Sequence, residues 1–119
     1  MRLLLDTHIF LWSLLEPERL RPEVAAALED KSNELWLSPI VIWEVLVQAE
    51  RGRAVLEKVP FREAALTQEV AIQSRLVELP HRDPADRFLA ATALVYGLAL
   101  VTADKRLLKS PSIPTLPGN

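Results

Sequence analysis

The chain has 119 residues, half of them hydrophobic and a quarter charged, which is the composition of an ordinary globular domain. It has no cysteine, which excludes disulfides and thiolate metal sites and is compatible with a reducing cytoplasm. The formal net charge of −2 argues against a strongly basic protein that wraps nucleic acid. We therefore predict one cytoplasmic domain spanning residues 1–119.

The first third of the chain alternates between strand-like and helix-like segments. A buried strand is predicted over Arg2–Leu5, and the helical apolar spacing of Thr7–Leu15 predicts a helix directly after it. Pro22 fits the first position of a second helix, Glu23–Asp30, and a second strand is predicted over Asn33–Ser38.

The middle of the chain continues the alternation. Ser38 is predicted to cap a helix that runs to about Arg51, where Gly52 can end it. A further helix is predicted over Phe61–Ser74, and a short strand over Arg75–Leu79. These segments extend the series of strands connected by helices.

The last third gives the clearest signals. Asp83 is predicted to cap a helix over Pro84–Tyr96, and Leu98–Thr102 is the most apolar strand candidate. One or two helical turns follow over ADKRLLK, and Ile113–Leu116 is a last strand that Pro114 restricts to an edge of the sheet. The alternation predicts an α/β fold, a three-layer α/β/α sandwich with a central parallel sheet of four to five strands.

Membrane and secretion signals are weak. The longest segment without a formal charge, Phe88–Ala103, is shorter than a bilayer requires. Asp6 and His8 interrupt the apolar run at the N-terminus, so it does not have the pattern of a signal peptide. We expect no membrane partner.

Four carboxylates lie near the start of a helix that follows a strand-like segment. They are Asp6, Glu44, Asp86 and Asp104. Ligands of parallel sheets bind beyond the carboxyl ends of the strands, so these four side chains are expected to converge on one edge. Asp6 and Asp104 could also serve only as helix caps, and Asp83 is best interpreted as one.

Glu44 is the carboxylate whose surroundings most need an explanation. Seven of the eight residues in Ile40–Val47 are apolar, and Glu44 is the eighth. Burying an ionised carboxylate without a partner costs roughly several kcal/mol. A metal ion, or water bound to it, would supply that partner. The alternative is an exposed glutamate on a narrow polar stripe with Gln48.

A hard divalent cation fits this set of ligands. Carboxylates without cysteine, in a chain with two histidines, favour Mg²⁺ or Mn²⁺. Such an ion leaves room for a substrate phosphate and can activate water. Without a cation, at least one carboxylate should have a raised pKa. The hydroxyls of Thr7 and Thr102 are candidates to support the site.

Four basic residues close to the acidic positions are candidates to hold a polyanion: Arg82, Arg87, Lys105 and Arg106. Ordinary solvated helix faces are the alternative for each of them. His8 is interpreted as a packing residue. The three tryptophans, Trp12, Trp36 and Trp43, are expected in the core or at a subunit interface rather than as platforms for stacked bases.

The whole chain resembles a known family. The segments LLLDTHIFLW, SPIVIWEV, HRDPADRFLAATAL and LALVTADKRLL are similar, in order, to the sequence blocks of PIN-domain proteins, in particular the VapC-like toxins of bacterial type II toxin–antitoxin systems. The resemblance implies a PIN-like fold and an Mg²⁺- or Mn²⁺-dependent endoribonuclease with water as nucleophile. It assigns catalytic and metal-binding roles to Asp6, Glu44, Asp86 and Asp104.

The resemblance also implies partners. They are an RNA substrate, a second copy of the chain in a homodimer, and a VapB-like or Phd-like antitoxin. The hydroxyl residue of the last block corresponds to Thr102. Gln48 stands where a lysine often follows the WE dipeptide by one turn.

Other classes of protein match less well. A receiver domain of a signalling relay needs paired acidic residues after its first strand, but Thr7 and His8 follow Asp6. A haloacid-dehalogenase-type phosphatase needs an aspartate at the place of His8. A dinucleotide-binding protein needs a glycine-rich turn, which the three scattered glycines do not form. A PIN-like domain that has lost activity and only binds a partner remains the main alternative that is not an enzyme.

Overall fold

The computed structural model describes residues 1–48, 61–80 and 82–119. Within these ranges five parallel strands form one sheet in the order β3-β2-β1-β4-β5. The strands are β1 (Arg2–Leu5), β2 (Glu34–Leu37), β3 (Arg62–Glu63), β4 (Ala99–Thr102) and β5 (Thr115–Pro117). The helices are α1 (Thr7–Leu15), α2 (Pro22–Glu29), α3 (Pro39–Gln48), α4 (Gln68–Leu76), α5 (Pro84–Tyr96) and α6 (Lys105–Leu108), with a 3₁₀ turn at Pro17–Arg19.

The order of the strands places a change of direction between β1 and β4. From β1 the chain moves outward to β2 and β3, then crosses back to β4 and continues to β5. Right-handed crossovers therefore put the helices that follow β1 and β2 on one face and those that precede β4 on the other. Helix α1 packs on α3, and α4 packs on α5, as this arrangement requires. The predicted three-layer α/β/α fold is confirmed.

The core lies on both faces of the two central strands. Leu3, Leu4 and Leu5 of β1 are buried, as are Leu100 and Val101 of β4. Both strands are continuous apolar runs because a central parallel strand is covered by helices on both sides. This rigid pair fixes the positions of the residues that follow each strand.

Capping residues set where several helices begin, as predicted. Asp83 accepts hydrogen bonds from the backbone N–H groups of Ala85 and Asp86 at 3.0 and 3.4 Å. The buried Ser38 accepts one from Ile40 at 3.2 Å at the start of α3. Side-chain acceptors at these positions satisfy backbone donors that the first turn of a helix leaves free.

Two predicted elements in the middle of the chain are wrong. The predicted helix Phe61–Ser74 is instead strand β3 followed by α4, which begins after Thr67, whose hydroxyl accepts from the backbone N–H of Val70 at 3.2 Å. The predicted strand Arg75–Leu79 is the end of α4 and a loop. Two carbonyls of this loop, those of Val77 and Leu79, accept hydrogen bonds from the guanidinium of Arg87 rather than from a neighbouring strand.

The remaining predicted boundaries agree to within two residues in the described part of the chain. The last strand is Thr115–Pro117 rather than Ile113–Leu116, and it is an edge strand as predicted. The predicted end of α3 at Arg51 and Gly52 lies outside the described residues. No helix within those ranges is both long enough and apolar enough to cross a bilayer.

Candidate functional site

A pocket of about 570 Å³ lies at the carboxyl ends of the strands, where the direction of the sheet changes between β1 and β4. This is the place where open parallel sheets bind their ligands. All four predicted acidic residues line it: Asp6, Glu44, Asp86 and Asp104. They come from four different places in the fold, namely the ends of β1 and β4, the second turn of α3 and the first turn of α5.

Asp6 and Asp104 are joined through Thr102. The buried hydroxyl of Thr102 donates to Oδ2 of Asp6 at 2.7 Å and accepts from the backbone N–H of Asp104 at 3.0 Å. The parallel register pairs Leu5 with Val101, so the next residues of the two strands meet. The two aspartates also cap α1 and α6, so the capping interpretation and the pocket interpretation hold together.

Asp6 is a partly buried carboxylate, and the two hydrogen bonds that it accepts come from neutral donors. Its Oδ1 accepts from the backbone N–H of Thr7 at 2.7 Å, and its Oδ2 accepts from Thr102. Burial raises the pKa of Asp6, and the two hydrogen bonds and the nearby His8 offset only part of that rise. The raised pKa predicted for one carboxylate is therefore found here, with burial rather than the repulsion of Asp104 as its largest cause.

Glu44 has a partner within the protein. Its Oε2 accepts a 3.2 Å hydrogen bond from the hydroxyl of Thr7 on the facing helix α1. Only part of the apolar stretch around it enters the core: Val41 and Val45 are fully buried, whereas Trp43 and Val47 are 64% and 68% exposed. Glu44 is half-buried, lines the pocket and accepts a hydrogen bond from Thr7. Its charge is therefore not fully removed from water.

Arg106 lies between the other two carboxylates. One guanidinium nitrogen is 3.1 Å from Oδ2 of Asp104 and 3.5 Å from Oδ2 of Asp86. Burial raises the pKa of Asp104, but the hydrogen bonds and positive charge of Arg106 outweigh it, so that pKa is lowered overall. Arg106 thus reduces the repulsion between Asp86 and Asp104. The environments of Asp104 and Asp6 therefore shift the pKa values of these two carboxyls in opposite directions.

The donors fit a hard divalent cation that keeps much of its water. No three histidine or acidic side chains among the described residues form a ready-made ligand set. The carboxylates nevertheless share one pocket, and both hydrogen bonds that Asp6 accepts come from neutral donors. Mg²⁺ commonly takes one or two protein carboxylates and several waters. Asp6, Glu44, Asp86 and Asp104 are the residues that could hold it.

The predicted substrate-binding residues are not all at the pocket. Arg106 lines it, whereas Lys105 is exposed and is not part of its wall. Arg82 and Arg87 line a separate cavity of about 180 Å³ between α4 and α5. The guanidinium of Arg87 donates to the carbonyls of Ser74 and Val77 at 2.8 and 2.9 Å, which is a structural task.

Three pocket residues were missed by the sequence interpretation. His8, Trp12 and Arg19 line the wall that α1 and the following turn provide. Trp12 was expected in the core or an interface and His8 in packing, yet His8 is exposed and Trp12 reaches the pocket. His8 and Trp12 are four residues apart, which places both on one face of α1. This spacing, which begins two residues after Asp6, was the signal in the sequence that these two residues share the pocket wall.

Comparison with known proteins agrees with the fold. The profile of the PIN domain matches residues 3–111. Ribonuclease VapC22 of Mycobacterium tuberculosis is 36% identical, over 87% of this chain and 88% of that protein. Among solved structures, VapBC2 of Rickettsia felis bound to a promoter DNA fragment superposes with a TM-score of 0.80 at 17% identity, covering all of both chains.

A toxin–antitoxin complex of Klebsiella pneumoniae superposes with a TM-score of 0.69 at 26% identity, covering 96% of this chain and 95% of the other. The match to the family profile spans nearly the whole chain, and the relative from Mycobacterium tuberculosis exceeds a third identity over most of it. The chain therefore belongs to the PIN-domain family, and within that family it is VapC-like.

Proposed function

We propose that this protein is a metal-dependent endoribonuclease that acts as the toxin of a toxin–antitoxin pair. The observation that carries the proposal is the convergence of four carboxylates, from four elements of the fold, on one pocket at the switch point of the sheet. Its relative of 36% identity is a ribonuclease, which supports RNA as the substrate. The alternative is a PIN-like domain that binds a partner without catalysis.

The chain's own residues can organise hydrolysis of a phosphodiester. Asp6, Glu44, Asp86 and Asp104 would hold Mg²⁺ or Mn²⁺, and the bound ion would make water a better nucleophile and offset charge on the phosphate. Thr102 holds the Asp6 carboxylate in one orientation through its 2.7 Å hydrogen bond, and Thr7 holds Glu44. Such preorganised groups reduce the reorganisation needed at the moment of reaction.

Arg106 is the chain's candidate for binding the phosphodiester. Its guanidinium lies in the pocket wall between two carboxylates, and its side chain is 56% exposed and able to reach an entering anion. Guanidinium groups bind phosphate oxygens in a bidentate manner. In the proposed hydrolysis, the oxygen of water forms a bond to the phosphorus of this phosphodiester while one ester P–O bond breaks. The predicted roles of Arg82, Arg87 and Lys105 lack this placement at the pocket.

The proposal is tested by RNA cleavage with purified, antitoxin-free chain in EDTA, in Mg²⁺ and in Mn²⁺, beside Asp6→Asn. Asparagine keeps an oxygen that can accept from the backbone of Thr7, so the cap and the fold should survive. Cleavage that needs the metal and falls at least about 100-fold in Asp6→Asn is expected, since one charge at the centre of the site is lost.

A matched control is Asp30→Asn, the same change at an exposed carboxylate in the turn after α2. This variant should cleave RNA like the wild type. Metal-independent cleavage, or equal loss in both variants, would contradict the proposal. A folded chain that binds Mn²⁺ and an antitoxin but cleaves no RNA would favour the alternative without catalysis.

The proposed partners are a VapB-like or Phd-like antitoxin and a second copy of the chain, working in the cytoplasm. The solved neighbours include VapBC complexes and a toxin–antitoxin complex, which supports an antitoxin partner. Two helices of this chain carry exposed apolar pairs one turn apart, Trp43 and Val47 on α3 and Ile72 and Leu76 on α4. Such surfaces are commonly covered by a protein partner.

A further inference from the structure

One part of the pocket wall contains no carboxylate and has a different chemical character. The guanidinium carbon of Arg19 lies 4.3 Å from the centre of the Trp12 ring, and the ring of His8 is 5.9 Å from that of Trp12 on the other side of one helical turn. All three residues line the pocket. The wall is therefore an aromatic and cationic surface beside the acidic centre.

The position of Arg19 is held from two sides. Its guanidinium lies over the Trp12 ring and pairs with Oε2 of Glu16 at 3.0 Å, while its side chain stays about half exposed. A guanidinium over an indole can place one face against the ring and leave the other face open to a planar ligand. Trp12 itself packs partly against the hydrophobic core, which gives the stack a fixed base.

Because the pocket is acidic and RNA is an anion, the positive groups of the lining matter for binding. Carboxylates dominate the lining, and only two guanidinium groups, those of Arg19 and Arg106, line it among the described residues. Arg106 already pairs with Asp86 and Asp104. Arg19 pairs with Glu16, which does not line the pocket, and its side chain is 52% exposed, so an RNA strand entering the pocket meets Arg19 as a second positive group.

We propose that Arg19, supported by Trp12, is a binding subsite for a nucleobase: a base next to the cleaved phosphodiester stacks on the guanidinium plane. This inference rests on the proposed ribonuclease function and names how the site takes hold of its substrate. Single-stranded RNA is bound in this way because its unstacked bases can lie on arginine planes or aromatic rings. Trp12 is a positioning residue, because its ring holds the guanidinium of Arg19 in the pocket wall.

The experiment measures binding rather than cleavage. Fluorescence anisotropy of labelled oligoadenylate, oligocytidylate and oligouridylate is compared with that of an abasic ribose-phosphate oligomer of the same length, with Ca²⁺ present in place of Mg²⁺. Arg19→Lys keeps the charge but loses the plane. It should weaken binding of the three base-containing oligomers by about 5- to 100-fold and leave the abasic oligomer unchanged.

Two further variants separate stacking from general effects. Arg62→Lys changes another arginine that lies over a tryptophan, Trp36, away from this pocket, and it should bind all oligomers like the wild type. Trp12→Phe keeps a ring under Arg19 and should retain most of the preference for bases, whereas Trp12→Leu should lose it. Thermal unfolding of each variant checks that the fold is intact.

The inference is overturned if Arg19→Lys leaves binding of the base-containing oligomers unchanged, if it weakens the abasic oligomer equally, or if the wild type does not distinguish bases from the abasic chain. Failure of the proposed function has a different signature. In that case no RNA is cleaved with Mg²⁺ or Mn²⁺, whatever the binding data give. If the wild type cleaves RNA with metal but Arg19→Lys binds the oligomers like the wild type, the nucleobase subsite is wrong and the ribonuclease function stands.

Discussion

The buried hydroxyl of Thr102 donates a 2.7 Å hydrogen bond to the carboxylate of Asp6 and accepts the backbone N–H of Asp104 at 3.0 Å. One side chain thus fixes the relative position of the two aspartates that end the central strands. Replacing it tests whether that link matters to the site or only to the fold.

Thr102→Val removes the hydroxyl at nearly constant volume. It leaves Oδ2 of Asp6 and the N–H of Asp104 without this partner, so we expect a loss of about 1–3 kcal/mol in the free energy of unfolding. The pKa of Asp6 should rise further, because Thr102 lowers it in the native protein. Chemical denaturation and NMR titration of the Asp6 carboxyl measure the two effects. Thr102→Ser keeps the hydroxyl and should leave the pKa of Asp6 unchanged, with a loss of only about 1 kcal/mol for the buried methyl group.

The stability of the protein should depend on pH through Asp6. Its pKa in the folded state is raised above the ordinary value of 3.8, so the folded protein holds this proton more tightly than the unfolded chain does. Its contribution to stability is therefore fully present below pH 3.8 and is lost as the pH rises through the folded pKa, by about 1.4 kcal/mol for each unit of the rise.

Asp6→Asn cannot titrate, so this loss should be absent from it. Denaturant unfolding from pH 3 to 7 compares the two proteins: the stability of the variant relative to the wild type should increase above pH 3.8 and then level off. Asp104 acts in the opposite direction, because its lowered pKa makes stability fall only as the pH drops below 3.8. A constant difference between the two proteins across the range would contradict the raised pKa of Asp6.

Arg106 should compete with a divalent cation for the same carboxylates. Arg106→Gln removes the positive charge that now lies between Asp86 and Asp104, so Mn²⁺ measured by isothermal titration calorimetry should bind a few-fold more tightly. RNA binding should weaken in the same variant. Lys105→Gln removes the same charge from the neighbouring residue, which does not line the pocket, and it should alter Mn²⁺ binding much less. Equal effects of the two changes would assign them to net charge.

Arg87 should matter for stability rather than for RNA. Its guanidinium donates to four carbonyl groups at and beyond the end of α4. Arg87→Ala leaves these carbonyls without that donor, and we expect a loss of about 2–4 kcal/mol in the free energy of unfolding. The exposed Arg82 provides the comparison, since Arg82→Ala should change stability by less than about 0.5 kcal/mol. A stable Arg87→Ala protein with impaired RNA binding would restore its predicted role with the substrate.

The exposed apolar pair on α3 should contribute to assembly. Trp43→Ser replaces the larger of the two side chains, and light scattering after gel filtration should then give a monomer where the wild type gives a dimer. Leu15→Ser, a change at an equally exposed apolar residue on α1, should leave the dimer intact. A wild-type chain that is monomeric at micromolar concentration would contradict a role of Trp43 in self-association.

Much of the site could be predicted because it follows from the two central strands. Such strands are buried on both faces and read as unbroken apolar runs, so their ends are visible in the sequence, and the polar residues after them are few. Asp6, Thr102 and Asp104 were identified on this basis. Glu44 and Asp86 were found from their places in the second turn and the first turn of capped helices. The structure brings the four carboxylates to one pocket, with Thr102 hydrogen-bonded to Asp6, while their catalytic roles stay predictions.

The parts that were missed depend on contacts between distant segments. Strand β3 is two charged residues, Arg62 and Glu63, at an edge of the sheet, where no apolar pattern is required. The hydrogen bonds of Arg87 to backbone carbonyls were not foreseen, because a sequence does not tell which way a long side chain points, and its role with RNA stays a prediction. Arg19 was passed over for a related reason: its contact with Trp12 depends on how the 3₁₀ turn folds back over α1.

The separation of Asp6 and Thr102 by 96 residues in the chain has a consequence during translation. A ribosome makes β1 early and β4 much later, and loops of this length close only after both ends are available. A nascent or prematurely terminated chain that contains Asp6 and Glu44 but not β4 therefore has half of the pocket and no way to complete it. For a protein proposed to cut RNA, synthesis itself delays the appearance of activity until β4 has been made and can pair with β1.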